Sequence, residues 1–169
     1  TTTIKMMAGV LKPTSGSVII NGMDLAEEPE RVKKCIGFIP DRPHLYEKLT
    51  GTEFLKFIAG LSGMDHPSSF QTRIRVLLEL FDRTHWRDEL IESYSHGMKQ
   101  RLVMCSALLP QPKVLIVDEP MVGLDPRGAR LVKDIFVEES LKKTTIFMST
   151  HSLEVAAEVC REIAIIQAG

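Results

Sequence analysis

The chain has 169 residues, 44% of them hydrophobic and 25% charged, with a net charge of −1. This suits one soluble domain with a proper core, and the balanced charge gives no basic excess that would argue for a nucleic-acid partner. No apolar run approaches the roughly 18–20 residues that cross a bilayer, no signal peptide is visible, and the three cysteines, Cys35, Cys105 and Cys160, lack metal or redox spacing and read as reduced core thiols.

In chain order, Ile4, Met7, Ala8 and Leu11 fall on one helical face, so a helix follows Thr1-Thr2-Thr3 directly. Residues 12–16, Lys-Pro-Thr-Ser-Gly, carry turn chemistry. Residues 17–21 read as a short β-branched strand, closed by the tight-turn dipeptide Asn21-Gly22. A short helix is expected over 29–34, then an apolar strand over 35–39 that ends at Pro40. Helical patterns cover 51–63 and 69–81, and 82–94 is polar and irregular. A helix over 97–109 is stopped by Pro110 and Pro112. Residues 114–117 form a continuous apolar run, expected as a strand buried on both faces. A helix over 128–141, a strand over 144–149, a helix over 152–160 and a last strand over 163–167 complete the chain. Because it opens on a helix with no leading strand and stops in a turn at Ala168-Gly169, the natural protein is expected to continue on both sides.

The alternation of strand and helix in the second half predicts an α/β fold with a parallel sheet and right-handed crossovers. One domain is expected over 1–169, with a core of 1–50 and 110–169 and a mostly helical lobe at about 51–109.

The run from Val114 to Pro120 (Val-Leu-Ile-Val-Asp-Glu-Pro) delivers two adjacent carboxylates to the tip of a buried strand. Ligands bind outside the carboxyl ends of strands in open α/β sheets. Paired carboxylates there suit two jobs: Asp118 holding Mg²⁺, usually through water, and Glu119 orienting or deprotonating an attacking water. A second strand ends in Ser149-Thr150-His151, and a His at such a tip can donate a hydrogen bond to a phosphate. Ser95 begins a helix and is followed by small Gly97. A hydroxyl and free backbone N–H groups at a helix N-terminus make a phosphate site, and Ser95 is equally suited to be an ordinary N-cap.

The ordered set resembles the ATPase subunit of an ATP-binding cassette (ABC) transporter, over the whole chain. Thr1-Thr2-Thr3-Ile4 is similar to the tail of a Walker A loop, just after its Gly-Lys. Residues 12–22 resemble the family's passage from that helix into a small sheet. Tyr94-Ser95-His96-Gly97-Met98-Lys99-Gln100-Arg101 is similar to a divergent signature motif. Val114 to Pro120 resembles Walker B with its catalytic Glu, Gly123-Leu124-Asp125-Pro126 the D-loop, and His151 the switch His. The signature form and the run Ser-Thr-His-Ser-Leu-Glu-Val-Ala look most like exporter-type subunits that pair with a separate permease.

The resemblance implies a P-loop NTPase-like core with most of the N-terminal antiparallel strands outside the chain. It implies ATP and Mg²⁺ as cofactors, with Thr1, Asp118 and Asp41 as candidate metal ligands and Thr2 on the phosphates. Ser95, His96, Gly97, Met98 and Gln100 would face ATP held by a second ATP-binding subunit. Asp125, with Gly123 and Leu124, would bridge the two sites. A transmembrane permease would contact the segment around Tyr46 to Phe57, on the cytoplasmic face of the membrane. The family's usual Gln after the strand at Pro40 is here Asp41, and its signature Leu, first Gly and terminal Gln are Tyr94, His96 and Met98. The chain by itself is expected to bind ATP poorly and to be inactive. Two other readings stand beside this one: a soluble ABC-type ATPase without a permease, and a degenerate cassette that binds nucleotide and only dimerises.

Overall fold

The structure, a computed structural model, describes residues 1–64, 66–81 and 86–167. Part of the segment expected to be irregular, 82–85, and the closing Ala168-Gly169 lie outside the described residues.

Helix α1 (Thr2–Met7) is shorter than its apolar pattern predicts. Gly9 adopts φ +68°, the left-handed conformation that ends a helix, and Val10 N–H turns back to the Lys5 carbonyl at 2.9 Å. Leu11 therefore leaves the helical face and is exposed. Strands β1 (Ile19–Ile20) and β2 (Met23–Asp24) form an antiparallel hairpin. Asn21 and Gly22, at φ +52° and +76°, supply the two positive dihedrals of a type I′ turn, as the dipeptide predicts.

Helix α2 (Pro29–Cys35) leads directly into β3 (Ile36–Ile39). Three helices follow: α3 (Gly51–Leu61), α4 (Pro67–Leu80) and α5 (His96–Leu108), with a single 3₁₀ turn at Ile91–Ser93 before α5. Thr50 and Glu53 form a reciprocal capping box that starts α3. Then come β4 (Val114–Asp118), α6 (Pro126–Leu141), β5 (Thr145–Ser149) and α7 (Leu153–Val159).

The three longer strands lie parallel in the order β3-β4-β5, as the alternation of elements predicts. Central β4 is buried on both faces. Leu115 and Val117 enter a large core with α3, α4, α5 and α6, while Ile116 packs with Ile4, Ile20 and Val32 on the other side. The larger core is continuous from Phe54 and Leu55 in α3 to the sheet, with α5 seated against β3. Gly37 permits that approach: a Cβ there would lie 2.6 Å from the Ala107 carbonyl. Arg73 of α4 closes the far end of α5, donating to the carbonyls of Leu108 and Leu109 at 2.8 and 3.0 Å.

The strand expected over 163–167 does not form. Ile163, Ile165 and Ile166 are exposed, and no ladder reaches them among the described residues. An apolar run has strand character only where a neighbour accepts its backbone hydrogen bonds. No helix among the described residues is long and apolar enough to cross a membrane.

Candidate functional site at the strand tips

Parallel pairing in register brings the ends of β4 and β5 together, with Asp118 opposite Ser149. Asp118 is fully buried. Its Oδ1 accepts hydrogen bonds from the hydroxyls of Ser149 and of Thr1, the latter at 3.3 Å. Its Oδ2 is buried with no hydrogen-bond partner. A buried carboxylate oxygen without a donor is costly unless a cation or an ordered water meets it. Thr1 stands at the N-cap of α1 and Thr2 in its first turn, so the start of that helix faces the carboxylate.

Glu119 leaves the strand with φ +51°, an uncommon conformation for a residue with a side chain. Its amide is held by the Ser149 carbonyl at 3.1 Å, and its Oε2 lies 3.0 Å from Nδ1 of His151. Such dihedrals persist where surrounding contacts over-determine them, often at functional sites. The sharp turn carries Glu119 away from the buried strand axis and toward exposed His151. Asp41 follows β3, the other neighbour of β4, and makes no hydrogen bond or ion pair among the described residues.

A second group of residues gathers at the start of α5. Ser95 caps the helix, its hydroxyl accepting from the Met98 amide at 3.3 Å. His96 and Gly97 adjoin the loop after β4, where Gly123 has φ +76°. Asp125 caps α6 through the Gly128 amide at 3.2 Å and pairs with Arg101 of α5 at 2.9 Å.

The family model described as ABC transporter matches residues 1–122. The chain belongs to the ABC transporter family. It is 39% identical over its whole length to the uncharacterized ABC transporter ATP-binding protein YxlF of Bacillus subtilis, of which it spans 55%. It is 35% identical to ABC transporter A family member 8 of Arabidopsis thaliana, covering 98% of this chain and 18% of that one. The chain spans about half the length of the bacterial relatives it matches. A solved ATP-binding subunit of an ABC transporter shares 34% identity and superposes with a TM-score of 0.86, over 94% of this chain and 66% of that one. A dimeric ATP-binding cassette bound to ADP and Pi shares the fold, at 20% identity and a TM-score of 0.83, over 94% of this chain and 72% of that one.

Against the ABC pattern, the structure brings together Thr1, Asp118, Glu119 and His151 as the sequence predicts. It corrects two of the signature residues. Met98 and Gln100 were expected to face nucleotide, yet both are buried. Helix α5 runs through the core and is covered on nearly every side, so only its first turn is open. Gln100 keeps both amide atoms without a partner. Asp125 is engaged inside its own chain by Arg101 and the Gly128 amide. Two residues that sequence reasoning passed over also belong here. Ser149 fixes Asp118, a contact set by the in-register pairing of β4 with β5. Arg101 holds Asp125, and nothing local in the sequence marks that contact.

Proposed function

We propose that this chain is the ATP-binding and ATP-hydrolysing part of a membrane transporter, powered by ATP-driven closure of two such units. One observation carries the reading: buried Asp118, with an unpartnered oxygen, sits beside a Glu119–His151 pair at the start of α1.

The donor set fits Mg²⁺. Thr1 offers a hydroxyl and Asp118 a hard carboxylate oxygen, and Mg²⁺ takes few protein ligands, completing its shell with water and phosphate. Bound there, the ion would neutralise charge on the β- and γ-phosphates. Asp41 is a further candidate for the same shell. Ser149 holds Asp118 in one orientation, so the carboxylate needs no rearrangement when the metal arrives. The exposed helix start at Thr1 and Thr2 offers backbone N–H groups to phosphate.

Glu119 accepts the proton of the attacking water. His151 orients Glu119 before nucleotide binds and donates to the γ-phosphate once it does. Ser95 and Gly97, at the open first turn of α5, cap the nucleotide held by a second copy or a paralogous partner. The dimeric cassette with ADP and Pi supports that arrangement by analogy of fold. A permease supplies the membrane spans, and the chain then works at its cytoplasmic face. The exposed Tyr46–Phe57 aromatic pair, with centroids 5.4 Å apart, lies on the helical side that would meet it.

The test is Mg²⁺-dependent release of phosphate from ATP by the complete protein. Turnover is expected, and it should disappear on chelation. Tight nucleotide binding that never yields phosphate in a single turnover would refute the enzymatic reading.

A further inference from the structure

The geometry points to His96 as a positioning residue for Glu119, acting through the loop that joins β4 to α6. The inference rests on the ATPase reading above.

The loop begins at Glu119 (φ +51°), bends at Gly123 (φ +76°) and re-enters helix at Asp125. Its own hydrogen bonds are long: Val122 N–H to the Glu119 carbonyl and Leu124 N–H to the Met121 carbonyl, each at 3.3 Å. Such a loop does not fix its path alone, and α5 grips it at two places.

At the first, the imidazole of His96 lies over Gly123. A Cβ built on that glycine would stand 2.4 Å from Cδ2 and 2.7 Å from Nε2 of the ring. Beside it, a Cβ on Gly97 would lie 3.6 Å from the Gly123 carbonyl. At the second, Arg101 pairs with Asp125 and closes on Gly128, where a Cβ would lie 2.6 Å from Nη2. Gly97 and Arg101 share one helical face, so α5 presents a continuous surface to the loop.

The two grips differ. Arg101 uses charge and is nearly buried, whereas His96 is exposed and touches the loop by packing. Removing the ring leaves α5 and the core intact and frees the bend at Gly123. Because Glu119 lies at the head of the same loop, its carboxylate then loses its fixed approach to the attacking water. A misplacement of about 1 Å can cost on the order of a hundredfold in rate. Ser95 adjoins His96 in the chain, so the turn that meets a partner's nucleotide is coupled within one subunit to that subunit's own base.

The experiment measures ATP turnover and melting temperature in the complete protein. For His96→Ala, kcat is expected to fall by roughly tenfold or more, while KM for ATP and the melting temperature stay at wild-type values. His96→Phe, which keeps a planar ring and removes the ring nitrogens, is expected to restore most of the rate. Gly123→Ala is expected to be slow because its methyl group meets the ring and its φ is strained. The double variant His96→Ala/Gly123→Ala is expected to be faster than Gly123→Ala alone. Wild-type kcat in His96→Ala overturns the inference and leaves the ATPase reading intact. A raised KM with unchanged kcat also overturns it, assigning His96 to nucleotide binding. Absence of turnover in the wild type removes both.

Discussion

Glu119 and His151 face each other across the tips of neighbouring parallel strands, with Oε2 and Nδ1 3.0 Å apart. The contact needs both the register of β4 with β5 and the positive φ of Glu119, which swings the side chain out of the sheet. It places a proton acceptor beside a hydrogen-bond donor at the mouth of the proposed nucleotide site, the pairing expected of a general base and its orienting partner.

Replacing Glu119 by Gln keeps the size of the side chain and removes its basicity. Phosphate release should fall by about 10²–10⁴-fold, with ATP affinity retained. Rapid-quench single-turnover measurement checks this, and near-normal turnover would move the base elsewhere.

Asp118→Asn should remove the part of nucleotide binding that depends on Mg²⁺. Wild-type protein at a hundredfold excess of Mg-ATP over its Kd should gain about 2.7 kcal/mol of stability by mass action. Thermal melts with and without Mg²⁺ should show that increment in the wild type and lose its Mg²⁺-dependent part in the variant.

Ser95→Ala removes the α5 N-cap and should cost about 1 kcal/mol in chemical denaturation. Ser95→Arg places bulk and charge at the open first turn. ATP-dependent dimerisation, followed by size-exclusion chromatography with light scattering, should weaken. An undiminished dimer would remove Ser95 from the subunit interface.

Arg73 ties α4 to the last carbonyls of α5, and its guanidinium is half-buried, which lowers its pKa from the ordinary value. Arg73→Ala leaves those carbonyls without their donor. A loss of about 1–3 kcal/mol is expected in denaturant titrations, with little change in KM for ATP.

Cys105 is buried, and desolvation pushes its thiol well above the ordinary 9.0. The folded state therefore holds this proton more firmly than the unfolded chain. The contribution is fully present below pH 9.0 and declines as pH rises above it. In native protein at neutral pH, Cys105 should resist a thiol-labelling reagent that reaches partly exposed Cys35 and Cys160. Mass spectrometry of the labelled peptides checks this, and rapid native labelling of Cys105 would contradict its burial.

The sequence by itself determined most of the elements and which polar residues stand at the strand tips. The apolar run ending in Asp118-Glu119, the second run ending near His151 and the dipeptide Asn21-Gly22 are local signals, because periodicity and turn dihedrals act over a few residues. It over-read α1, where Leu11 kept the apolar rhythm past a glycine that ends the helix, and 163–167, where composition alone suggested a strand. Only the tertiary structure decided what each polar residue faces. Met98 and Gln100 sit in the same motif as Ser95, yet packing around α5 buries them and leaves Ser95 open. Likewise, the hydroxyl of Ser149 on Asp118, Arg101 on Asp125 and His96 over Gly123 join residues far apart in the chain. Such contacts follow from strand register and helix packing, which depend on the whole core and leave no mark in the sequence around any one residue.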